Sequence, residues 1–87
     1  MSSIEKLKSK ARSAPQNITF DELCTLFECY EFVDRGGKGS HKAYKRTKLP
    51  TAKYPVQEGP NGKAQPYQVR WLMDWVSSNG IERGDED

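Results

Sequence analysis

The sequence predicts a small α+β domain, in which a three-stranded antiparallel sheet packs its helices on one face. Two observations predict this class. The apolar residues follow helical spacing up to residue 30, change to the alternation of strands, and return to helical spacing after residue 65. The chain has only 87 residues, of which 34% are hydrophobic and 10% aromatic, so one thin core must form around a few large side chains.

Two helices are predicted in the first thirty residues. Residues 4–12 have the apolar spacing of a short amphipathic helix, which Pro15 ends because a proline disfavours helix in the residue before it. The second helix begins at Thr19, which forms a capping box with Glu22. The residues that share its apolar face are Phe20, Leu23, Cys24, Phe27 and Tyr30.

Three short strands are predicted next. The first covers residues 32–33, and the glycine-rich stretch 36–39 separates it from a second strand over 40–46. The third strand, residues 54–57, is confined to an edge or an irregular position because Pro55 cannot donate to a central ladder.

Alternation along the second strand predicts which side chains face the helices. Tyr44 is its only large apolar residue, so it should face the core. That choice places Ser40, Lys42 and Arg46 on the core side, with the two cations extending their charged ends to solvent. It places His41, Ala43 and Lys45 on the open face.

A final helix is predicted to begin near Pro66, a favourable residue for a first turn, and to end at Gly80. Its core stripe consists of Val69, Leu72, Met73 and Val76. A second row, formed by Tyr67, Trp71 and Trp75, has the spacing of one helix face. We interpret this row as a widening of the core rather than as a binding platform.

Charge is strongly segregated along the chain, although the net charge is only +2. Residues 35–63 contain eight basic residues and one acidic residue, a net of +7, whereas the last six residues carry −3. This distribution predicts a surface that binds a polyanion, together with a flexible acidic C-terminus. The alternative is a lysine-rich loop that is merely solvated.

Several classes of function lack their signatures. The sequence has no phosphate-binding P-loop, no paired-cysteine zinc spacing and no nucleophile elbow, so no cofactor and no metal are expected. Cys24 and Cys29 are expected to be free thiols that are buried or half-buried, since their positions within one helix do not suit a disulfide. With no apolar run of about 18 residues and no leader-like N-terminus, no contact with a membrane is expected and a cytoplasmic protein is predicted.

One constellation could carry chemistry. Gly39-Ser40-His41 follows the glycine turn, with Lys38 and Lys42 on either side, and His41 is the only histidine. An imidazole exchanges protons near neutral pH, so it could take the proton from an RNA 2′-hydroxyl that attacks the adjacent phosphate. Neighbouring lysines would hold that phosphate, and the glycines would let the backbone approach it closely.

The segments Asn17–Leu23, Gly37–His41 and Asn61–Arg70 occur in an order that resembles the HicA family, the small toxins of bacterial toxin–antitoxin pairs. The likeness spans residues 18–76, and its strongest element is Gly39-Ser40-His41 followed by Tyr44.

The resemblance implies a fold similar to a double-stranded-RNA-binding domain and a ribonuclease that cleaves mRNA and stops translation. It implies that His41 is catalytic and that a HicB-type antitoxin binds and inhibits the protein. Many members carry a second histidine where this chain has Lys42. The expected organisation is a helical extension over residues 1–17, a HicA-like domain over 18–80 and an acidic flexible tail over 81–87.

The predicted function is therefore a metal-independent ribonuclease toxin with His41 as general base or acid. The residues expected to bind RNA are Lys38, Gly39, Ser40, Lys42, Lys45, Arg46, Lys48 and Lys53. Two alternatives remain open: an RNA-binding module of the same fold without catalysis, and a protein-interaction domain that docks a partner through its aromatic helix row. RNA binding by several phosphate contacts should weaken steeply with salt, which distinguishes the last alternative.

Overall fold

The computed structural model of the protein describes residues 3–36 and 41–81, and this part of the chain is α+β. The helices are α1 (Ser3–Ser13), α2 (Phe20–Cys29) and α3 (Pro66–Ser78). The strands are β1 (Val33–Asp34), β2 (His41–Arg46) and β3 (Ala52–Gln57), which form one antiparallel sheet in the order β1-β2-β3. Short 3-10 turns occupy Pro15–Asn17 and Pro60–Gly62. The predicted class and the antiparallel three-stranded sheet are confirmed.

The start of α2 is the predicted capping box. The Thr19 hydroxyl accepts a hydrogen bond from the Glu22 backbone N–H at 3.1 Å, and the Glu22 carboxylate accepts one from the Thr19 N–H at 3.0 Å. The Thr19 N–H, aided by the Lys10 ammonium and opposed by partial burial, lowers the pKa of the Glu22 carboxyl below its ordinary value. An isolated bridge between Thr19 and Lys63 ties the segment before α3 to this helix start.

Tyr44 is fully buried, as the alternation along β2 predicts. Its ring stacks on Phe27 of α2 with centroids 4.9 Å apart, and its hydroxyl donates to the Glu28 carboxylate at 3.1 Å. Burial raises the pKa of the Tyr44 phenol well above its ordinary value. The register partner on β3 is Tyr54, which stacks on Trp71 of α3 at 4.0 Å. Helices α2 and α3 therefore pack on one face of the sheet.

The predicted aromatic row of α3 divides into two parts. Trp71 and Trp75 are half-buried and widen the core, as interpreted, but Tyr67 is 56% exposed, so the interpretation is wrong for this residue. The predicted core stripe of α3 is confirmed, since all four of its members are buried. Gly80 has φ +68°, the left-handed conformation that glycine adopts freely just beyond a helix end.

The N-terminal helix belongs to the helical layer. α1 contacts both α2 and α3, and its Ala11 is buried in the common core. At the other end of the chain, Ile81, which the sequence assigns to the tail, packs against the core, and residues 82–87 lie outside the described part of the chain. Cys24 and Cys29 are free thiols, as predicted, but only Cys24 is buried, so the expected burial is wrong for Cys29, which is exposed. Among the described helices, none combines the length and the apolar character that crossing a membrane requires.

We expect Thr19→Ala to lower the free energy of unfolding by about 1 kcal/mol, because the Glu22 N–H loses its capping acceptor. Urea denaturation of the two proteins measures the change. Thr25→Ala is the matched control, since Thr25 lies exposed within α2 and donates only to the Asp21 carbonyl. Alanine is the better helix former there, so stability should stay the same or rise slightly. Equal losses in the two variants would contradict the capping role.

Candidate nucleic-acid interface

The face of the sheet turned away from the helices carries a row of side chains across all three strands. Lys45 of β2 and Lys53 of β3 are direct register partners, both exposed, and Val33 of β1 completes the row at 52% exposure. At the other end of β2, His41 lies opposite Gln57 on the same face. The prediction that His41 and Lys45 share the open face is confirmed, because Tyr44 between them is buried.

The Lys45–Lys53 pair places two ammonium groups on directly opposed positions. Neither lysine has an ion pair with the described part of the chain. Like charges directly opposite each other across two strands are destabilising. A bound anion would remove that repulsion, and a phosphate of a nucleic-acid backbone is an anion that such a pair of cations binds.

His41 lies at the edge of a shallow depression, four residues and about 13 Å along the strand from Lys45. The residues that line the depression include Ala43, Pro55, Gln57, Tyr67 and Gln68. The imidazole is exposed and makes no hydrogen bond to the described part of the chain. Its ring nitrogens are therefore not occupied by hydrogen bonds within the described part of the chain.

A polar network that the sequence reasoning missed borders this depression. Gln68 is only 3% exposed; its amide oxygen accepts from the Gln57 N–H at 3.3 Å, and its amide nitrogen donates to the Tyr67 hydroxyl at 3.0 Å. Gln68 precedes Leu72 by four residues, so it falls on the apolar stripe of α3. A polar residue on a core stripe is the sequence signal that could have revealed the network.

Arg46 belongs to the core and not to the open face. It is 3% exposed; its Nε donates to the Tyr30 carbonyl at 2.8 Å, and one Nη donates to the carbonyls of Lys48 and Pro50 at 2.8 and 2.7 Å. The guanidinium carbon lies 5.4 Å from the Trp75 ring centroid. The predicted side of the strand is correct, but the side chain does not extend to solvent. The expectation that Arg46 contacts an RNA phosphate is therefore wrong, and Arg46 has a structural role.

The other predicted RNA-binding residues differ in their surroundings. Lys42 faces the core side, half-buried, with its ammonium 3.5 Å from the Asp34 carboxylate. Lys48 lies in the loop after β2 and pairs with Glu31 at 3.0 Å, both side chains being largely exposed. An exposed pair of this kind contributes little stability and can exchange its partner. Lys38, Gly39 and Ser40 lie outside the described residues.

The described residues contain no group of three or more His, Cys, Asp or Glu side chains arranged to hold a metal ion. Comparison with known proteins finds no matching family model, no similar curated protein and no similar solved structure. The geometry of the open face therefore carries the functional argument.

We expect Arg46→Met to lower the free energy of unfolding by about 2–4 kcal/mol, because loss of the donor to the buried Tyr30 carbonyl costs about 1–3 kcal/mol and the partly buried carbonyls of Lys48 and Pro50 add a smaller cost. Lys45→Met is the matched control: it removes the neighbouring cation from the exposed face and should change stability by no more than about 0.5 kcal/mol. Chemical denaturation of both variants measures the difference. Similar stabilities of the two variants would contradict the structural assignment of Arg46.

Proposed function

We propose that this protein is a metal-independent ribonuclease toxin of the HicA type, which binds mRNA across the open face of its sheet and cleaves it with His41. The observation that carries the proposal is the shared face: the only histidine lies exposed on the same side of β2 as the Lys45–Lys53 pair. The order α2-β1-β2-β3-α3 further supports a variant of the fold similar to a double-stranded-RNA-binding domain, with α1 as an addition to the helical layer.

Binding follows from the arrangement of charge on the open face. An RNA backbone that runs along β2 would place one phosphate at Lys45 and Lys53 and another near His41, since about 13 Å separates the two ends. Lys48, in the loop after β2, can extend this track by exchanging its exposed pairing with Glu31 for a phosphate.

The chemistry assigned to His41 is a transesterification within the RNA. The imidazole takes the proton of a 2′-hydroxyl, and the 2′ oxygen attacks the adjacent phosphorus. The bond from phosphorus to the 5′ oxygen breaks, which leaves a 2′,3′-cyclic phosphate on one product and a 5′-hydroxyl on the other. Because the chain has a single histidine, the departing 5′ oxygen takes its proton from water. Lys42 lines the same depression, and by exchanging its Asp34 partner for the phosphate it would offset charge there.

The proposal includes a protein partner. A HicB-type antitoxin that covers the open face would block His41 and the Lys45–Lys53 pair together. Val33, an exposed apolar residue in that row, offers such a partner a contact that RNA phosphates do not use.

A second candidate is an RNA-binding module of the same fold without catalysis. One observation favours it: the only histidine of the chain is unsupported, since no described side chain orients its imidazole by a hydrogen bond. The two candidates share the binding face and differ only in whether bound RNA is cut.

We expect the wild-type protein to cleave a labelled single-stranded RNA in the presence of EDTA, and His41→Ala to bind the RNA without cleaving it. The exposed position of His41 predicts that the variant folds, which circular dichroism checks. The fragments should carry 5′-hydroxyl ends, which polynucleotide kinase labels directly. Equal cleavage by both proteins, purified in the same way, would contradict the role of His41. Binding without cleavage by the wild type would favour the second candidate.

We expect Lys45→Ala and Lys53→Ala each to weaken RNA binding and to reduce its salt dependence. The slope of log Kd against log salt should fall by about 0.7 for each phosphate contact that is lost from a single strand. Fluorescence anisotropy in the His41→Ala background measures this without cleavage. Lys6→Ala is the matched control, because Lys6 is exposed on α1, which packs on the other helices. A slope that falls equally for Lys6→Ala would contradict a binding track on the open face.

A further inference from the structure

Tyr67 is placed unlike the other aromatic residues of α3. Pro66 occupies the first position of the helix, so Tyr67 projects from its first turn, and its side chain is 56% exposed. Trp71 and Trp75, one and two turns later, are half-buried against the core. The two tryptophans therefore contribute to the core. The phenol ring of Tyr67 is largely exposed to solvent and lines the same depression as His41.

The hydroxyl of Tyr67 is held by a buried group. Gln68 is 97% buried. Its amide N–H donates to the Tyr67 oxygen at 3.0 Å, and its amide oxygen accepts from the Gln57 N–H at 3.3 Å. Gln57 is the register partner of His41, so the network ties the phenol to the strand position opposite the imidazole. Since the Tyr67 oxygen accepts this bond, its own hydrogen remains free to donate to a ligand.

We propose that Tyr67 forms a nucleotide subsite beside His41, where its ring stacks on a base of single-stranded RNA and its hydroxyl donates a hydrogen bond to a ribose or phosphate oxygen. The inference rests on the proposed function and deepens it by naming the part of the substrate that lies next to the imidazole. Aromatic side chains accept any base, because every base has a π-face.

The subsite also specifies the form of the substrate. A base can stack on Tyr67 only when it is unpaired and turned out of its own strand, so duplex RNA of the same sequence cannot fill the subsite. The Lys45–Lys53 pair would still attract a duplex through its phosphates. Single strands and duplexes should thus differ in their dependence on Tyr67.

The experiment compares Tyr67→Phe with Tyr67→Leu in the His41→Ala background, which prevents cleavage. Both variants remove the hydroxyl and leave Gln68 equally without its acceptor, so their difference isolates the aromatic ring. We expect Tyr67→Leu to bind a short single-stranded RNA about 5- to 150-fold more weakly than Tyr67→Phe, as loss of one stacked base predicts. Equal melting temperatures of the two variants establish that the difference is not one of folding.

An abasic site moved along the same RNA gives a second readout. At one position, the abasic site should lower the RNA affinity of the protein that retains Tyr67. The RNA affinity of Tyr67→Leu should stay unchanged, because this variant has no ring on which that base could stack. Leu49→Ala is the control for loss of an exposed apolar side chain, since Leu49 is 81% exposed in the loop at the opposite end of β2. It should bind as tightly as its parent.

Equal affinities of Tyr67→Phe and Tyr67→Leu, with no position-dependent effect of the abasic site, would overturn the subsite. Cleavage that persists in His41→Ala would contradict the proposed function alone, because binding of a non-cleavable 2′-O-methyl RNA would still report on Tyr67. A wild-type protein that binds no RNA would overturn both proposals.

Discussion

The burial of Tyr44 between the sheet and α2 is the constraint on which the functional face depends. Successive residues of a strand point to opposite faces, so a slip of one residue would reverse every side chain of β2. Tyr44 prevents the slip because its ring stacks on Phe27 and its hydroxyl requires the Glu28 carboxylate. An exposed His41 at one end and an exposed Lys45 at the other follow from that single placement.

Two buried polar side chains join the two ends of β2 and β3 to the neighbouring helices and loops by hydrogen bonds. Arg46 binds the carbonyls of Tyr30, Lys48 and Pro50, so it joins the end of α2 to the loop that leaves β2. Gln68 performs a similar task at the opposite end of the strand, where it joins β3 to α3. Buried groups that lose their partners are costly, and both networks therefore hold the ends of the sheet in one arrangement.

The basic stretch of the sequence becomes a narrower surface once it is folded. Lys42 is paired with Asp34, Lys48 with Glu31, and the charge of Arg46 is enclosed. Among the described residues of the open face, Lys45 and Lys53 keep cations without an acidic partner. The net charge of the sequence thus overstates how many cations the folded surface presents to a ligand. The opposed lysines instead concentrate positive charge on one face, where a phosphate chain can lie along a strand.

The sequence by itself determined the helices, the exclusion of the third strand from the centre of the sheet and the face on which His41 lies. These features follow from local rules: the capping box at Thr19, the proline at position 55, and alternation around one large aromatic residue. Only the tertiary structure decided that Arg46 is buried against three carbonyls and that Tyr67 stays exposed and lines the same depression as His41. Both depend on residues that are distant in the chain. Tyr30 accepts a hydrogen bond from Arg46, and Gln57 donates one to Gln68, the residue that holds the Tyr67 hydroxyl. Spacing within one element assigns a side chain to a face, but the hydrogen-bond partners that meet it there come from other elements.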